Sequence, residues 1–175
     1  RSSSVTRNPS MSLTADGTRS RNANAGAASI DGVEANVRLP TPVSGLRLSA
    51  SLTHHFRYAI TRNDAAPATV GKVLTDVPRT GWSASLDYEQ GPWSAFLAAR
   101  HTSHVFGSGN DMNSNVVEGV YGSYDAHTLV SARVSHNVTR NLTLSLSSEN
   151  LLNRQYFIYS GQPGRTVYGE AHWRF

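Results

Sequence analysis

Cysteine is absent from these 175 residues. That excludes a disulfide scaffold, a thiolate metal site and a cysteine nucleophile. Lysine is almost absent: Lys72 stands alone, and the formal net charge of +4 is carried by arginines scattered singly along the chain. Without a Lys/Arg cluster or a recognition-helix pattern, no nucleic-acid partner is expected. Long apolar runs are missing as well. No stretch approaches the roughly 18 residues of a membrane-spanning helix. Apolar residues make up 38% of the chain, and mean hydropathy is −0.37. A helical membrane protein is thereby excluded, but a membrane β-barrel is not, because only every second strand residue faces lipid. No signal peptide follows Arg1, so an exported protein would be represented here by a mature portion or a fragment.

Strict alternation of apolar and polar residues is abundant, and it is the signature of strands with one apolar and one wet face. At the C-terminus Val167, Gly169, Ala171, Trp173 and Phe175 oppose Thr166, Tyr168, Glu170, His172 and Arg174. Earlier, Leu46, Leu48, Ala50, Leu52 and Phe56 oppose Arg47, Ser49, Ser51, Thr53 and His55. The same period runs through Trp82–Tyr88, Trp93–Ala99, Val130–Val134 and Leu142–Leu146. A further strand is expected over 22–39, with a phase shift near Gly32. Seven strands result, most near the ten residues that a tilted membrane strand requires. Their connections alternate in length: short at 40–45, 90–92 and 137–141, long at 61–78, 107–122 and 155–164. In an up-and-down barrel this puts all the long loops at one end, the asymmetry of outer-membrane barrels. The terminus then lies on the short-turn, periplasmic side.

The expected architecture is therefore all-β, an antiparallel transmembrane β-barrel segment. Trp82, Trp93, Trp173, Tyr88 and Phe175 are expected in aromatic girdles at the lipid–water boundary. Arg133, Asp87, Glu89 and Glu149 fall on the opposite face, toward a lumen. His54 and His55, adjacent on a strand, point to opposite faces and cannot chelate one metal. His101 and His104 are likewise expected to diverge on a strand. No nucleophile elbow, phosphate loop or zinc motif is present, so no catalytic residue, metal or cofactor is assigned. Ligand contacts are expected on the long loops, because binding residues concentrate on loops held by rigid scaffolds. Tyr121, Tyr124, Arg154, Tyr156, Tyr159 and Arg165 are the candidates, since tyrosine and arginine suit an aromatic, anionic chelate through stacking and charge-assisted hydrogen bonds.

Several segments resemble the C-terminal barrel region of TonB-dependent outer-membrane receptors. Glu149-Asn150-Leu151-Leu152-Asn153-Arg154-Gln155-Tyr156 is similar to that family's "N-L-hydrophobic-D/N-x-x-Y" segment, with Asn153 where Asp is commoner. Pro163-Gly164-Arg165 then opens the last strand, which ends on Phe175. Asn24-Ala25-Gly26 through Gly32-Val33-Glu34 resembles the "N-x-G … G-V-E" strand, and Val77-Pro78-Arg79 resembles the "VP-R" start of a later one. The resemblance implies a 22-stranded barrel closed by an N-terminal plug, of which residues 1–21 would be an extracellular loop region and 22–175 the C-terminal part. It further implies uptake of a scarce nutrient such as a ferric siderophore, energised by the TonB complex through the plug. Outer-membrane lipid surrounds such a barrel, and the assembly machinery recognises its last strand through Trp173 and Phe175. No cofactor is implied. The rival reading is a complete eight-stranded barrel acting as an adhesin or structural protein; it needs a strand within 1–19, where Pro9 disfavours one. An outer-membrane hydrolase would need a nucleophile and base brought together in space.

Overall fold

The computed structural model describes residues 26–107 and 116–175, together with the backbone of two short paired strands, β1 (Met11–Leu13) and β2 (Arg19–Arg21). The start of the first long strand, expected from residue 22, lies outside the described residues. Seven strands form one antiparallel sheet in simple meander order: β3 (Gly26–Pro40), β4 (Leu46–Asn63), β5 (Thr80–Gln90), β6 (Trp93–Thr102), β7 (His127–Asn137), β8 (Leu142–Glu149) and β11 (Thr166–Trp173). β9 (Phe157–Ile158) and β10 (Ser160–Gly161) make a small hairpin in the last loop. A 3₁₀ turn at Pro67–Thr69 is the one helical piece among the described residues. Neither β3 nor β11 has a second strand partner within the described residues, so the sheet is open.

The expected connections hold at both ends. Three short turns join β3–β4, β5–β6 and β7–β8, and three long loops join β4–β5, β6–β7 and β8–β11. In the first turn Leu46 N–H donates to Val43 O (3.1 Å) and Glu89 N–H donates to Gly45 O (2.8 Å). Gly45 has φ +78°, and a Cβ there would collide with the Glu89 carbonyl oxygen. Only glycine fits so close a backbone approach in that conformation. The phase shift expected near Gly32 is a β-bulge, with the β3–β4 register slipping between Asp31 and Gly32. β4 is longer than expected; β3 pairs with it as far as Gly26↔Asn63, whereas its pairing with β5 stops at His54↔Thr80. One expectation is corrected: β6 ends at Thr102, so His104 lies in the following loop rather than on a strand with His101.

Register sorts the side chains into two faces. On one, Leu39, Leu48, Leu86, Leu97 and Ala132 lie in a row across five strands, and Leu46, Tyr88, Ala95, Val134 and Leu146 lie in the next. On the other, Arg38, Ser49, Ser85, Ala98 and Ser131 form one row, and Arg47, Asp87, Phe96, Arg133 and Ser147 another. Among the described residues nothing packs on the apolar face. Tyr58 is the one buried apolar residue among those described, whereas Leu39 is 48%, Trp93 50% and Leu146 61% exposed. A soluble sheet buries such a face against a second layer. A sheet whose apolar side stays bare is built for a solvent that is itself apolar.

Candidate functional site: a laced loop cap above a girdled wall

The apolar face is bounded at both ends by aromatic rings. Toward the long loops Trp82 stacks on His101 (5.7 Å between centroids), and toward the short turns Trp93 lies against His136 (4.1 Å). Gln90 and Trp93 are register partners, so the two tryptophans are eight residues apart in height. That is about 27 Å along a strand and, with a ~40° tilt, about 21 Å across a bilayer. Between them run three rows of Leu, Ala, Val and Tyr, the height of the apolar band that a membrane barrel presents. The polar face carries short hydroxyl side chains and exposed charge. Arg133 donates to Glu170 across two strands (2.6 Å), and Arg47 lies 3.7 Å from Glu89. A hollow of about 580 Å³ opens on that face between Arg100, Ser131, Glu149, Asn150, Tyr156 and Thr166.

At the loop end the ladder stops, and backbone groups must find other partners. The three long loops do so by bonding to one another. Asp76 N–H donates to Phe106 O (2.8 Å), and Val105 N–H to Tyr124 O (3.2 Å). Asp125 N–H then donates to Phe157 O (2.9 Å), Tyr159 N–H to Ser123 O (2.8 Å) and Gly122 N–H to Tyr159 O (2.6 Å). The loops thus form a single cap.

Two side-chain hubs fasten it. The first is Asp125, 5% exposed. One carboxylate oxygen accepts from Ser123 Oγ (2.6 Å) and Gly119 N–H (3.0 Å), and the other from Phe157 N–H (2.9 Å). Burial pushes this carboxyl up. The hydrogen bonds from Ser123, Gly119 and Phe157, with the positive charge of Arg154, outweigh burial and hold it below the ordinary carboxylate value. The second hub is Asn150, 6% exposed. Its Nδ2 donates to Arg154 O (2.9 Å) and Pro163 O (3.2 Å), and its Oδ1 accepts from Arg154 N–H (2.8 Å). Asn153 Oδ1 accepts from Arg165 N–H (2.9 Å), and a Cβ at Gly164 would stand 2.6 Å from that oxygen. Both asparagines have positive φ (49° and 54°), a region asparagine tolerates better than most residues. The motif Asn-Leu-Leu-Asn and the Pro-Gly-Arg that follows it are therefore the two feet of one loop, tied together. Asp at 153 would supply the same acceptor.

The six candidate contact residues divide between structure and exposure. Tyr124 forms a bridge with Ile158 and lays its ring where a Cβ on Gly107 would be. Tyr156 stacks on His127 (4.3 Å), whose Nδ1 bonds with Asp125 O (2.8 Å). Arg154 gives its backbone N–H to Asn150 and its charge to Asp125. Arg165 gives its backbone N–H to Asn153 and reaches Leu151 O at 3.5 Å. Tyr121 and Tyr159 remain open, 71% and 53% exposed, with their rings edge to face at 4.9 Å. The Tyr121 phenol is held above its ordinary value by a hydrogen bond to Tyr159 and that group's negative charge when ionised, so it stays neutral at physiological pH. Asp125, Ser123 and His127 were not among the candidates. The usable signal was an acid flanked by small polar residues in a loop otherwise rich in Gly and Val. Among the described residues no group of three or more His, Asp and Glu side chains could hold a metal ion. Phe175 lies beyond the last ladder pair, fully exposed.

An open, meandering sheet with a bare apolar face, girdles at both ends and long loops at one end belongs to the class of membrane β-barrel walls. The family model described as TonB dependent receptor-like, beta-barrel matches residues 3–151, and the chain belongs to that family. Solved structures agree on the fold. The ferric yersiniabactin uptake receptor FyuA from Yersinia pestis superposes with TM-score 0.70 at 18% identity, over 87% of this chain and 24% of that one. The ferric citrate transporter FecA gives 0.69 at 22% identity, over 94% and 26%. The copper transporter OprC gives 0.60 at 20% identity, over 94% and 26%. The chain thus spans about a quarter of the length of these proteins. A search of curated protein sequences finds no match.

Proposed function

We propose that this chain is the C-terminal barrel portion of an outer-membrane receptor that takes up a scarce nutrient, a ferric siderophore or another iron complex, by energy-coupled transport. The observation that carries the membrane reading is the bare apolar face, with Tyr58 the single buried apolar residue among those described. The laced cap supports a receptor rather than a passive wall. A preassembled loop surface loses little conformational entropy when a ligand docks, and Tyr121 and Tyr159 offer it two free ring faces. Tyr124, Tyr156, Arg154 and Arg165 act behind them, holding the platform in shape. Family membership supports the remaining partners: the TonB complex acting through a plug, the surrounding lipid, and assembly machinery that engages the strand carrying Trp173 and ending near Phe175. The neighbours include ferric and copper carriers by their names, so fold alone does not choose the cargo.

The first experiment is the intact mass of the native outer-membrane polypeptide that contains this sequence. A mass several-fold above 18.9 kDa is expected, and it places a plug and further strands on the same chain. A mass near 18.9 kDa overturns the receptor reading in favour of a small self-contained barrel. In the full receptor, replacing both Tyr121 and Tyr159 by Ala is expected to weaken ligand binding at least tenfold, the size of losing two stacked aromatic contacts. The same pair of changes should leave barrel stability intact.

A further inference from the structure

The two girdles are not alike, and their difference points to a ligand. At the short-turn end His136, next to Trp93, faces Leu144 across the strand, and its Nδ1 is buried without a hydrogen-bond partner. At the long-loop end each imidazole is held by a threonine. His54 Nδ1 bonds with Thr80 Oγ1 (2.8 Å), and His101 Nδ1 bonds with Thr128 Oγ1 (2.9 Å). All four side chains belong to the apolar, outward face, because their positions continue the rows of Leu52 and Trp82. Neither hydroxyl has a second side-chain partner among the described residues. When each hydroxyl donates to Nδ1, the neutral ring is fixed as the tautomer with its proton on Nε2. In that tautomer both rings keep a free N–H donor on the outside of the wall, since among the described residues neither Nε2 meets an acceptor.

Other donors lie on the same face in successive rows, Trp82 in the row of His101 and Arg57 beyond His54 past the bulge. Trp82, stacked on His101, adds an indole N–H without a partner among the described residues. Phe56 is 66% exposed and meets His54 edge-on (5.4 Å) at the bulge, and Arg57 follows it immediately. Arg57 is the register partner of Asp31, but the two do not form an ion pair; the Asp31 carboxylate instead accepts from Ser29 Oγ (3.4 Å). With the imidazoles in that tautomer, the free nitrogen groups of the cluster all donate, and the Asp31 carboxylate is the one anion beside them. Its complement is an anionic oxygen cluster lying at the edge of an apolar phase.

We propose that His54, His101, Trp82 and Arg57, with Thr80 and Thr128 orienting the two imidazoles, bind phosphate groups of lipid headgroups in the leaflet on the long-loop side. The site rests on the membrane reading above but not on the identity of the transported nutrient. Lipid bound there would anchor the outer surface of β4–β7 directly below the laced cap, fixing the height of the loops above the bilayer.

The test uses the full-length receptor in a maltoside detergent, which carries no phosphate, titrated with diphosphoryl lipid A or with the same lipid after enzymatic dephosphorylation. Native mass spectrometry counts the bound molecules. The wild-type receptor is expected to retain the phosphorylated form preferentially. The double variant His54→Leu with His101→Leu should weaken that retention about tenfold, the size of losing two donors to a charged oxygen. Arg57→Gln should weaken it less, and His136→Leu at the other girdle should leave it unchanged. Equal retention of the two lipids, or a double variant that retains lipid as the wild type does, overturns the proposal. Heat-modifiable gel mobility verifies that the variant barrels are folded. Should the double variant misfold, Thr80→Val with Thr128→Val takes its place, since it keeps both rings and releases only the tautomer; unchanged retention in it overturns the orienting role and the proposal. Retention of neither lipid overturns the proposal as well, whereas the membrane reading itself falls only if the full-length protein stays folded and in solution without detergent, a distinct outcome.

Discussion

The wall and the cap of this molecule are stabilised in different ways. In the wall, backbone N–H and C=O groups satisfy one another along unbroken ladders such as β5–β6, where ten successive residue pairs run from Gly81↔Thr102 to Gln90↔Trp93. Side chains there need only be of the right polarity for the face they occupy. In the cap the one ladder among the described residues is the short β9–β10 hairpin, and loop-to-loop backbone bonds and single polar side chains take over elsewhere. Asp125 accounts for two backbone N–H groups and Asn150 for one N–H and two carbonyls. A wall position therefore tolerates many residues of one kind, whereas a hub position tolerates almost none. Where regular hydrogen bonding ends, specificity passes from pattern to individual atoms.

Substitutions in the full-length receptor can break or sharpen this contrast. The largest effect is expected from Leu97→Arg, which places a charge in the middle of the apolar face and should cost about 2–4 kcal/mol in denaturant unfolding from bilayers. Ser85→Arg, on the other face of the neighbouring strand, should be nearly neutral by the same measurement. Equal penalties at the two sites would mean that the faces are wrongly assigned. Asn150→Ala leaves three backbone groups without their partner and is expected to cost roughly 1–3 kcal/mol. The loss should be local, seen as faster hydrogen exchange over residues 150–165 while the β5–β6 ladder stays protected.

Asp125→Asn keeps one acceptor oxygen but turns the other position into a donor facing an N–H. Faster exchange is expected at Phe157 or at Gly119, by a smaller factor than Asn150→Ala produces across its own loop. The pH dependence of the wild-type cap follows from the same residue. The Asp125 carboxyl lies below its unfolded value, so its contribution is fully present above the unfolded pKa and is lost as pH falls through the folded one. Cap order should survive acidification through the ordinary carboxylate range and fail only beneath it, and loosening at pH 5–6 would count against this hub. Arg133→Ala removes an ion pair whose partners are 46% and 56% exposed, which solvent screening limits to about 1 kcal/mol or less. The smallest effect is expected from Asn153→Asp, since the acceptor for Arg165 N–H is retained; a marked loss of order in the last loop would show that its amide nitrogen also matters.

Much of the wall was legible in the sequence because its physics is periodic. Leu46 to Leu52 and Trp82 to Tyr88 alternate without interruption, and the pleat turns that alternation directly into two faces. The bulge at Asp31–Gly32 appeared as a slip of phase, and glycine-containing turns such as Gln90-Gly91-Pro92 marked strand ends. The candidate contacts were less legible. Four tyrosines and two arginines looked equivalent in the loops, yet the fold uses Tyr124 and Tyr156 for packing and the backbone of Arg154 and Arg165 for the clasp. No local pattern separates these from Tyr121 and Tyr159, because the distinction depends on partners supplied from elsewhere in the loops: Gly107 and Ile158 for Tyr124, His127 for Tyr156 and Asn153 for Arg165. The Asn-Leu-Leu-Asn motif was visible as a family likeness, but its purpose was not. That purpose lies in Pro163 and Arg165, which the chain brings back beside it only after the hairpin of β9 and β10.

By itself, then, the sequence determined the class of the molecule: strands, two faces, short turns at one end and long loops at the other. These follow from residue polarity at a spacing of two, a property read within ten residues. Only the tertiary structure decided the register of seven strands, the lacing of three loops into one cap, and which tyrosines stay exposed. The physical reason is one of range. Alternation is a local response to two solvents, whereas each buried donor and acceptor in the cap is satisfied by a partner that only the folded chain can supply.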